Sequence, residues 1–236
     1  MRDLAFERVS VAYGHVAALS DLSLRCASGR VTCLLGPNGA GKSTALAAAA
    51  GMIKIRSGRI MIGSSGIAPH LPFQGRSYLP QNGSFSKLLT VREVLEFAGA
   101  MSSTSTLQYA RSLNATGVRE VFNRRVGELS GGWERRVGLA WALLQPADVL
   151  LLDEPLVGLD PETLDRAVEH FAQRAADGNT VVMATHDFEA VDSLQPAVAV
   201  LEEGKLIARF EHEKGSLRDI YRATLMGQAM SNVSAP

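Results

Sequence analysis

The sequence predicts an α/β fold built around a parallel sheet, and three observations carry that prediction. Downstream of the glycine pair at residues 131–132, short apolar strands alternate with segments of helical spacing as far as "AVAVLEEG". Parallel strands buried on both faces are near-continuous apolar runs, and "DVLLLD" and "TVVMAT" have that character. Upstream, the first 35 residues predict short strands, whereas residues 91–125 show helical spacing without strand signals.

Each element follows from a local pattern. "LAFERVSVAY", "LSLRC" and "RVTCLLG" alternate apolar and polar residues between turn signals, which predicts strands. A helix is expected from Lys42, where the chain is alanine-rich, and Gly51 is expected to end it. "GRIMIG" is predicted as a further strand and residues 63–75 as a loop. Three more helices are expected, from the glycine pair to Leu144, from Pro161, and near Phe188.

Composition and charge exclude several classes of protein. The 236 residues, 46% hydrophobic and 20% charged, are typical of a folded globular domain with a full core. The 24 basic and 24 acidic residues cancel, which is not the charge balance of a dedicated nucleic-acid binder. Cys26 and Cys33 have neither a zinc nor a redox spacing and are predicted to be buried thiols. No apolar run approaches about 18 residues and no signal pattern opens the chain, so neither a membrane span nor an export signal is expected.

A glycine-rich segment, "GPNGAGKST", predicts a phosphate-binding loop. It follows the strand "VTCLL" and opens a helix, which is the context that a P-loop requires. Its glycines let successive backbone N–H groups face phosphates, the lysine can reach the terminal phosphates, and the serine hydroxyl can ligate magnesium. The candidate binding residues are Gly36, Pro37, Asn38, Gly39, Ala40, Gly41, Lys42, Ser43 and Thr44.

Two carboxylates end the apolar strand in "VLLLDEP". Ligands of open parallel sheets collect at this end of the strands. Asp153 is the candidate magnesium partner, directly or through water, and Glu154 is the candidate acceptor of a proton from an attacking water. Taken alone, the motif could be an ordinary acidic turn, but the phosphate-binding loop upstream favours the functional interpretation.

From about Leu4 to Glu211 the chain resembles the ATP-binding cassette family, specifically the nucleotide-binding subunit of a transporter. The resemblance rests on "GPNGAGKST", "LSGG" and "LLLDEP" in the family's order. It implies a P-loop NTPase fold with a RecA-like parallel sheet core, an N-terminal antiparallel β subdomain and an inserted α-helical subdomain. It also implies a single ATPase domain over residues 1–226, with the helical subdomain at approximately residues 82–145. Residues 227–236 are expected to form a flexible tail.

The resemblance implies roles for single residues outside the glycine-rich loop. Tyr13 matches the aromatic residue that stacks on adenine, and Gln81 matches the glutamine that touches magnesium and relays the nucleotide state. Asp160 matches an aspartate at the dimer interface, and His186 matches the histidine that contacts the terminal phosphate. The predicted catalytic residues are Lys42, Gln81, Glu154 and His186, and the predicted magnesium ligands are Ser43, Gln81 and Asp153.

Each of these residues also has a structural alternative. His186 could be a capping or surface residue, although its place after the expected strand favours the functional role. Tyr13 could be a strand aromatic packed on the core, and Gln81 could be a turn residue after Pro80. Asp160 before Pro161 is a good helix N-cap, and that role is compatible with the functional one.

"LSGG" predicts a second anion site, because Ser130, Gly131 and Gly132 open a helix with free backbone N–H groups. In the family, two subunits pair head to tail and each "LSGG" closes over the ATP of the other. The resemblance therefore implies that this site serves a phosphate held by a second chain. Trp133 departs from the family's usual glutamine. We expect its ring to tune closure of the dimer rather than to abolish it.

The leading hypothesis is an ATPase subunit that binds ATP and magnesium and powers a transporter. Its expected partners are transmembrane permease subunits and a second nucleotide-binding subunit, either a copy or a paralogue, with no nucleic acid. Its expected location is peripheral, at the cytoplasmic face of the cell membrane. The stretch "LLTVREVLEFAG" resembles exporter subunits.

Two rival functions are weaker. A soluble ATPase of the same family that acts on DNA or ribosomes typically has two cassettes or a coiled-coil insertion, and this chain shows one cassette and no heptad run. A GTPase or small-molecule kinase would share only the P-loop, and the guanine-reading N-K-x-D pattern does not occur.

Overall fold

The computed structural model describes residues 2–63, 65–66, 75–102, 104–212 and 215–233. The strands are β1 (Leu4–Tyr13), β2 (Val16–Cys26), β3 (Val31–Leu35), β4 (Ser57–Ile62), β5 (Ser65–Gly66), β6 (Arg76–Leu79), β7 (Val149–Asp153), β8 (Thr180–Ala184), β9 (Ala197–Glu202) and β10 (Lys205–Glu211). The helices are α1 (Lys42–Ala49), α2 (Val91–Ser102), α3 (Thr106–Thr116), α4 (Gly131–Leu144), α5 (Pro161–Ala176), α6 (Phe188–Asp192) and α7 (Leu217–Val233). Short 3-10 turns cover Val118–Val121 and Val126–Glu128.

A six-stranded sheet in the order β10-β9-β3-β8-β7-β6 forms the centre of the fold. The pairs β6–β7, β7–β8, β8–β3 and β3–β9 are parallel, which confirms the predicted parallel sheet. At one edge of the sheet, β10, a strand for which no prediction was made, pairs antiparallel with β9. Glu203 and Gly204 both have positive φ, so they form the tight turn that a two-residue hairpin requires.

The sequence pattern did not predict β6 or β10. β6 spans only four residues, "RSYL", without a β-branched side chain. β10 is half-exposed along most of its length, so its apolar alternation is weak. Both strands lie at the edges of the sheet, and their pairing with a buried neighbour decides their conformation.

A second sheet has the antiparallel order β2-β1-β4-β5 and confirms the expected N-terminal β subdomain. β3 does not join it. Although β3 is one of the strands predicted before residue 36, it lies in the middle of the central sheet and all five of its residues are buried.

The central sheet is covered on both faces by separate apolar clusters. Leu34, with alternate residues of the neighbouring strands, packs against α1 and the antiparallel sheet. Cys33 and Leu35 face the opposite way, towards a cluster that includes residues of α4, α5 and α7. Cys26 and Cys33 are free and buried, and burial raises the pKa of each thiol to about 12. The prediction of buried thiols is therefore confirmed.

A third apolar cluster joins the helices that lie between β6 and β7 in the chain. Val94 and Leu95 of α2, Leu113 of α3 and Val137 of α4 are buried together. These helices confirm the helical spacing predicted over residues 91–125.

The structure only partly describes the loop predicted at residues 63–75, and it changes the prediction for the tail at residues 227–236. Within the loop expected over residues 63–75, the described residues are Gly63, the short strand β5 and Gly75. Residues 64 and 67–74 lie outside the described residues. Residues 227–236 were expected to be a flexible tail. α7 continues to Val233, so residues 227–233 are helical, and residues 234–236 lie outside the described residues. Within the described residues, no helix combines the length and the apolar composition needed to cross a membrane.

Phe171 tests the packing of α5 on the sheet, because it is among the largest fully buried side chains. Truncation to alanine should lower the free energy of unfolding by about 3–5 kcal/mol, through lost burial and the cavity left behind. Urea denaturation followed by circular dichroism measures this loss. Leu107→Ala, at an exposed position of α3, is the control and should change stability by about 0.5 kcal/mol or less. Equal losses in the two variants would contradict this account of the core.

Candidate active site at the carboxyl edge of the sheet

Four neighbouring parallel strands bring the predicted site residues to one edge of the sheet. The glycine-rich loop follows β3, and Asp153 ends β7 with Glu154 directly after it. His186 lies two residues beyond β8, and Gln81 lies two residues beyond β6. Because the four strands are parallel and adjacent, these residues all leave the sheet on the same side.

The glycine-rich loop has the conformation that its glycines allow. Gly36, Gly39 and Gly41 have φ values of 146°, 81° and 98°, which a side chain would strain. A Cβ on Gly41 would lie 2.6 Å from the Ala18 carbonyl oxygen, so the loop also needs glycine there for space. The loop leads directly into α1, so its backbone N–H groups lie at the N-terminus of that helix, as expected of a phosphate-binding loop.

Lys42 spans the loop from the first residue of α1. Its Nζ donates hydrogen bonds to the carbonyl oxygens of Gly36 and Pro37, at 2.8 and 2.9 Å. Burial lowers the pKa of Lys42, and the nearby charges of Glu154 and Asp153 oppose that shift. The ammonium group is therefore held in the loop next to two carboxylates, where an incoming phosphate could take over its hydrogen bonds.

A cleft of about 290 Å³ brings most of the predicted binding residues together. It is lined by residues 38–44, Gln81, Asp153, Glu154 and Ala18. The carboxylate of Asp153 is almost fully buried and is hydrogen-bonded to the Ser43 hydroxyl. Burial raises the pKa of Asp153, whereas the Ser43 hydrogen bond and the charge of Lys42 lower it.

The donor chemistry at this point of the cleft suits magnesium. A hydroxyl, an amide and a carboxylate are hard donors, and Mg²⁺ is usually held by one or two carboxylates together with substrate phosphates and water. Among the described residues there is no cluster of three or more His, Cys, Asp and Glu side chains that could hold a metal ion by itself. Ser43, Gln81 and Asp153 therefore fit an ion that shares its ligands with a nucleotide.

Glu154 has an unusual backbone and an unused carboxylate oxygen. Its φ is 52°, in the left-handed region that non-glycine residues rarely adopt. Its N–H donates to the Ala184 carbonyl oxygen at 2.8 Å, and its Oε1 lies 2.9 Å from His186 Nδ1. Oε2 is buried and has no hydrogen-bond partner among the described residues. One carboxylate oxygen is thus oriented by His186, and the other is left to accept a proton or a water.

His186 is 73% exposed, although its partner Glu154 is nearly buried. The chain then turns into α6, whose N-cap Asp187 accepts a hydrogen bond from the Ala190 N–H at 3.1 Å. The imidazole therefore lies at the open rim of the site, and its exposed face is available to a ligand.

The second predicted anion site lies outside this cleft. Ser130 is the N-cap of α4 but makes no capping hydrogen bond through its hydroxyl, and both Ser130 and Gly131 are exposed. Gly131 has open space beyond the position of a Cβ, whereas the position on Gly132 faces the Gly158 carbonyl oxygen at 3.3 Å. The helix start is open to an approaching group from another molecule.

Trp133 and Asp160 share one partner, Arg136. The Arg136 guanidinium lies 4.3 Å from the centre of a Trp133 ring and forms an ion pair with the Asp160 carboxylate. Asp160 also caps α5 by accepting a hydrogen bond from the Thr163 N–H at 3.1 Å, so its predicted N-cap role is confirmed. Trp133 is thus half-buried against its own chain, and its contact with a partner's nucleotide stays a prediction.

Tyr13 ends β1 and is 54% exposed, outside the set of residues that line the cleft. Ala18, from the same hairpin, lines the cleft instead and was missed because alanine carries no chemical signal. Arg135 was also missed. Its guanidinium contacts the backbone of both Glu154 and Gln81 from α4. Its partners lie 19 and 54 positions away in the sequence, so no local pattern indicated these contacts.

Comparison with known proteins assigns the family. The family model described as "ABC transporter" matches residues 19–157, more than half of the chain. A model of an AAA domain also matches residues 123–192. The chain therefore belongs to the ABC transporter family, as one of its ATP-binding ATPase subunits.

Several curated relatives are 31–34% identical to this chain over the aligned residues. The linearmycin resistance ATP-binding protein LnrL of Bacillus subtilis is 31% identical over 87% of this chain and 68% of its own length. The Fe(3+) ions import ATP-binding protein FbpC of Brucella abortus is 34% identical over 93% of this chain. The match covers 63% of that relative's own length, so this chain spans under two thirds of it. The Nod factor export ATP-binding protein I of Rhizobium etli is 34% identical over 88% of this chain and 68% of its own length.

Solved structures confirm the fold. An ATP-binding subunit of an ABC transporter superposes with a TM-score of 0.84 at 23% identity, over 94% of this chain and 99% of that one. A bacterial Atm1-family ABC exporter with ATP bound superposes with a TM-score of 0.79 at 22% identity, over 100% of this chain and 42% of that one.

Two glycines of the phosphate-binding loop provide a matched test of its geometry. A Cβ on Gly39 would meet nothing within 4 Å, so Gly39→Ala should cost only the left-handed strain, about 1–2 kcal/mol. Gly41→Ala should cost about 1–3 kcal/mol more, because its Cβ overlaps the Ala18 carbonyl and the Leu19 side chain. Urea denaturation of the nucleotide-free variants compares them. Equal stabilities would show that the loop relaxes freely away from the hairpin.

Proposed function

We propose that this chain binds and hydrolyses Mg-ATP and drives transport through partner membrane subunits by ATP-dependent pairing with a second nucleotide-binding subunit. One observation carries the proposal. The cleft holds a phosphate loop, a buried carboxylate and a candidate base, while Ser130 and Gly131, at the start of α4, are exposed and lie outside it. A second phosphate-binding element that does not face its own cleft is suited to the cleft of another copy or a paralogue.

The N–H groups of residues 36–44 and the Lys42 ammonium would hold the phosphates of ATP. Ser43, Gln81 and Asp153 would hold magnesium, which when bound neutralises charge on the phosphate oxygens. Glu154 would take a proton from the attacking water through its unpartnered Oε2, while His186 orients the other oxygen and faces the terminal phosphate. Water exclusion would come from the second subunit closing over the cleft.

Pairing would complete the nucleotide site. Ser130, Gly131 and Gly132 would contact the phosphates bound by the second subunit, with the positive end of the α4 dipole directed at them. Asp160, on the neighbouring loop, would lie at the same interface, and Tyr13 would stack on the adenine of its own subunit. A single ATPase domain over residues 1–226 is sufficient for these roles.

The membrane partner would dock on the helices between β6 and β7. A groove of about 550 Å³ runs between residues 78–85 and α4, and Trp141 lies at its wall. The exposed apolar side chains Leu88, Phe97 and Met101 lie on this part of the chain. Because Gln81 lines both this groove and the nucleotide cleft, it is placed to relay nucleotide state to the bound partner.

This arrangement would place the chain at the cytoplasmic face of the cell membrane, attached through its partners. The relatives whose names give a direction of transport include both an import and an export ATP-binding protein. We propose export, because the stretch at residues 88–99, "LLTVREVLEFAG", resembles exporter subunits. The partner subunits would select the cargo.

Replacing the candidate base tests both hydrolysis and pairing. Glu154→Gln should keep ATP binding but lower kcat by about 10²–10⁴-fold, because the amide cannot take the proton. The same variant with Mg-ATP should shift from monomer to dimer in size-exclusion chromatography with light scattering. The dimer should accumulate because the bound ATP is no longer hydrolysed and the two subunits therefore stay paired.

The controls separate the two claims. Glu7→Gln, on β1 of the antiparallel sheet, should leave both kcat and oligomeric state unchanged. Adding Ser130→Arg to Glu154→Gln should abolish the dimer, and Ser57→Arg on β4 should not. Full hydrolysis by Glu154→Gln would remove Glu154 from the role of base, and a dimer that survives Ser130→Arg would remove the shared site.

Trp133 should affect closure through Arg136. In Trp133→Gln, the Arg136 guanidinium loses its cation–π contact with the indole ring, which is worth about 0.5–2 kcal/mol. The ion pair of Arg136 with Asp160 then becomes less constrained. We expect the ATP-dependent dimer to form in the Glu154→Gln background at a changed ATP concentration. Trp133→Phe keeps an aromatic ring, so its dimer should form at an ATP concentration closer to that of the Glu154→Gln parent. Unchanged ATP affinity and turnover in Trp133→Gln would show that the side chain has no part in closure.

A further inference from the structure

The backbone of Glu154 is held in a conformation that it would not adopt alone. A left-handed φ at a non-glycine residue costs on the order of 1–3 kcal/mol and persists only where its surroundings impose it. On one side, the Glu154 N–H is bonded to the Ala184 carbonyl oxygen of β8 at 2.8 Å. This bond fixes the amide but leaves the Glu154 carbonyl to be fixed by something else.

Arg135 supplies that second restraint. Its Nη2 and Nε donate to the Glu154 carbonyl oxygen, at 2.7 and 3.2 Å. Its Nη1 makes a longer contact, 3.4 Å, with the Gln81 carbonyl oxygen. One planar guanidinium therefore bridges the backbones of the candidate base and the candidate magnesium ligand.

The bridge starts from the helix that carries the second phosphate site. Arg135 lies on α4, which begins at Gly131 directly after Ser130. Residues on a single helix move together, so a displacement of the helix start by a bound phosphate also displaces Arg135. The neighbouring Arg136 points to a different target, the Asp160 carboxylate.

We propose that Arg135 is a positioning residue: its guanidinium holds the Glu154 backbone in the left-handed conformation that aims the carboxylate, and ties it to Gln81 and to α4. This inference rests on the proposed function of Glu154 as the base. Arg135 does not touch the reacting atoms. Its effect is on where Glu154 lies, and lysine cannot replace it because an ammonium does not present two parallel N–H groups to one carbonyl and a third to another.

The test compares Arg135→Gln and Arg135→Lys with the parent chain and with Arg59→Gln, an exposed arginine on β4. Steady-state ATPase kinetics give kcat and KM, and amide hydrogen exchange read by NMR gives the protection of the Glu154 N–H. In both Arg135 variants kcat should fall about 10–100-fold with KM changed by less than about threefold, as expected when a catalytic group is misplaced. Exchange at the Glu154 amide should be about tenfold faster, because the Glu154 backbone has lost the restraint on its carbonyl group. Arg59→Gln should change neither.

A double variant shows whether Arg135 acts through Glu154. Arg135→Gln added to Glu154→Gln should lower the single-turnover rate no further than Glu154→Gln alone. Independent, multiplying losses would overturn the proposal, as would an unchanged kcat in Arg135→Gln or a full rescue by Arg135→Lys.

The outcomes also separate this proposal from the one on which it rests. If Glu154→Gln hydrolyses ATP at the parent rate, the role of Glu154 as base fails. The hydrogen exchange of the Glu154 amide still reports whether Arg135 restrains the Glu154 backbone. If Glu154→Gln is inactive and Arg135→Gln is normal in rate and exchange, only the positioning role fails.

Discussion

The parallel pairing of β6, β7, β8 and β3 is the constraint on which the rest of the structure depends. These adjacent strands end at the same edge of the sheet, so the four segments that follow them meet there. Each segment brings a different group: an amide, two carboxylates, an imidazole, and a loop of backbone N–H groups. The registers of the pairs, in which Asp153 lies opposite Ala184, fix how far each group projects beyond the sheet. No single segment of the chain contains the cleft.

Burying charged groups at this edge of the sheet has an electrostatic cost. Burial raises the pKa of Asp153 and lowers the pKa of Lys42, so both groups are held in surroundings that disfavour their charged forms. The strained φ of Glu154 adds to that cost. On the proposed function, magnesium and phosphate would add further counter-charges for Asp153 and Lys42. The apolar clusters on both faces of the sheet offset these costs.

Much of the fold and the site could be predicted because their signals are local. The strand "VLLLD" and the helix that begins at Pro161 are readable from neighbouring residues, and the glycines of the phosphate loop are required by backbone conformation at those positions. β6 and β10 could not be predicted, because edge strands owe their conformation to a neighbour distant in sequence. The role of Arg135 could not be predicted either, since Glu154 and Gln81 lie 19 and 54 positions away from it.

The sequence by itself determined the chemistry available to this protein: a phosphate loop, a pair of carboxylates and a second helix start with free N–H groups. These depend on residue type and short spacing, which a linear pattern records. The tertiary structure decided which groups meet. It placed Glu154 between His186 and Arg135, directed Trp133 towards Arg136, and left Ser130 exposed away from the cleft. Those contacts arise from the packing of helices on a parallel sheet, and their distances in space are unrelated to their separations along the chain.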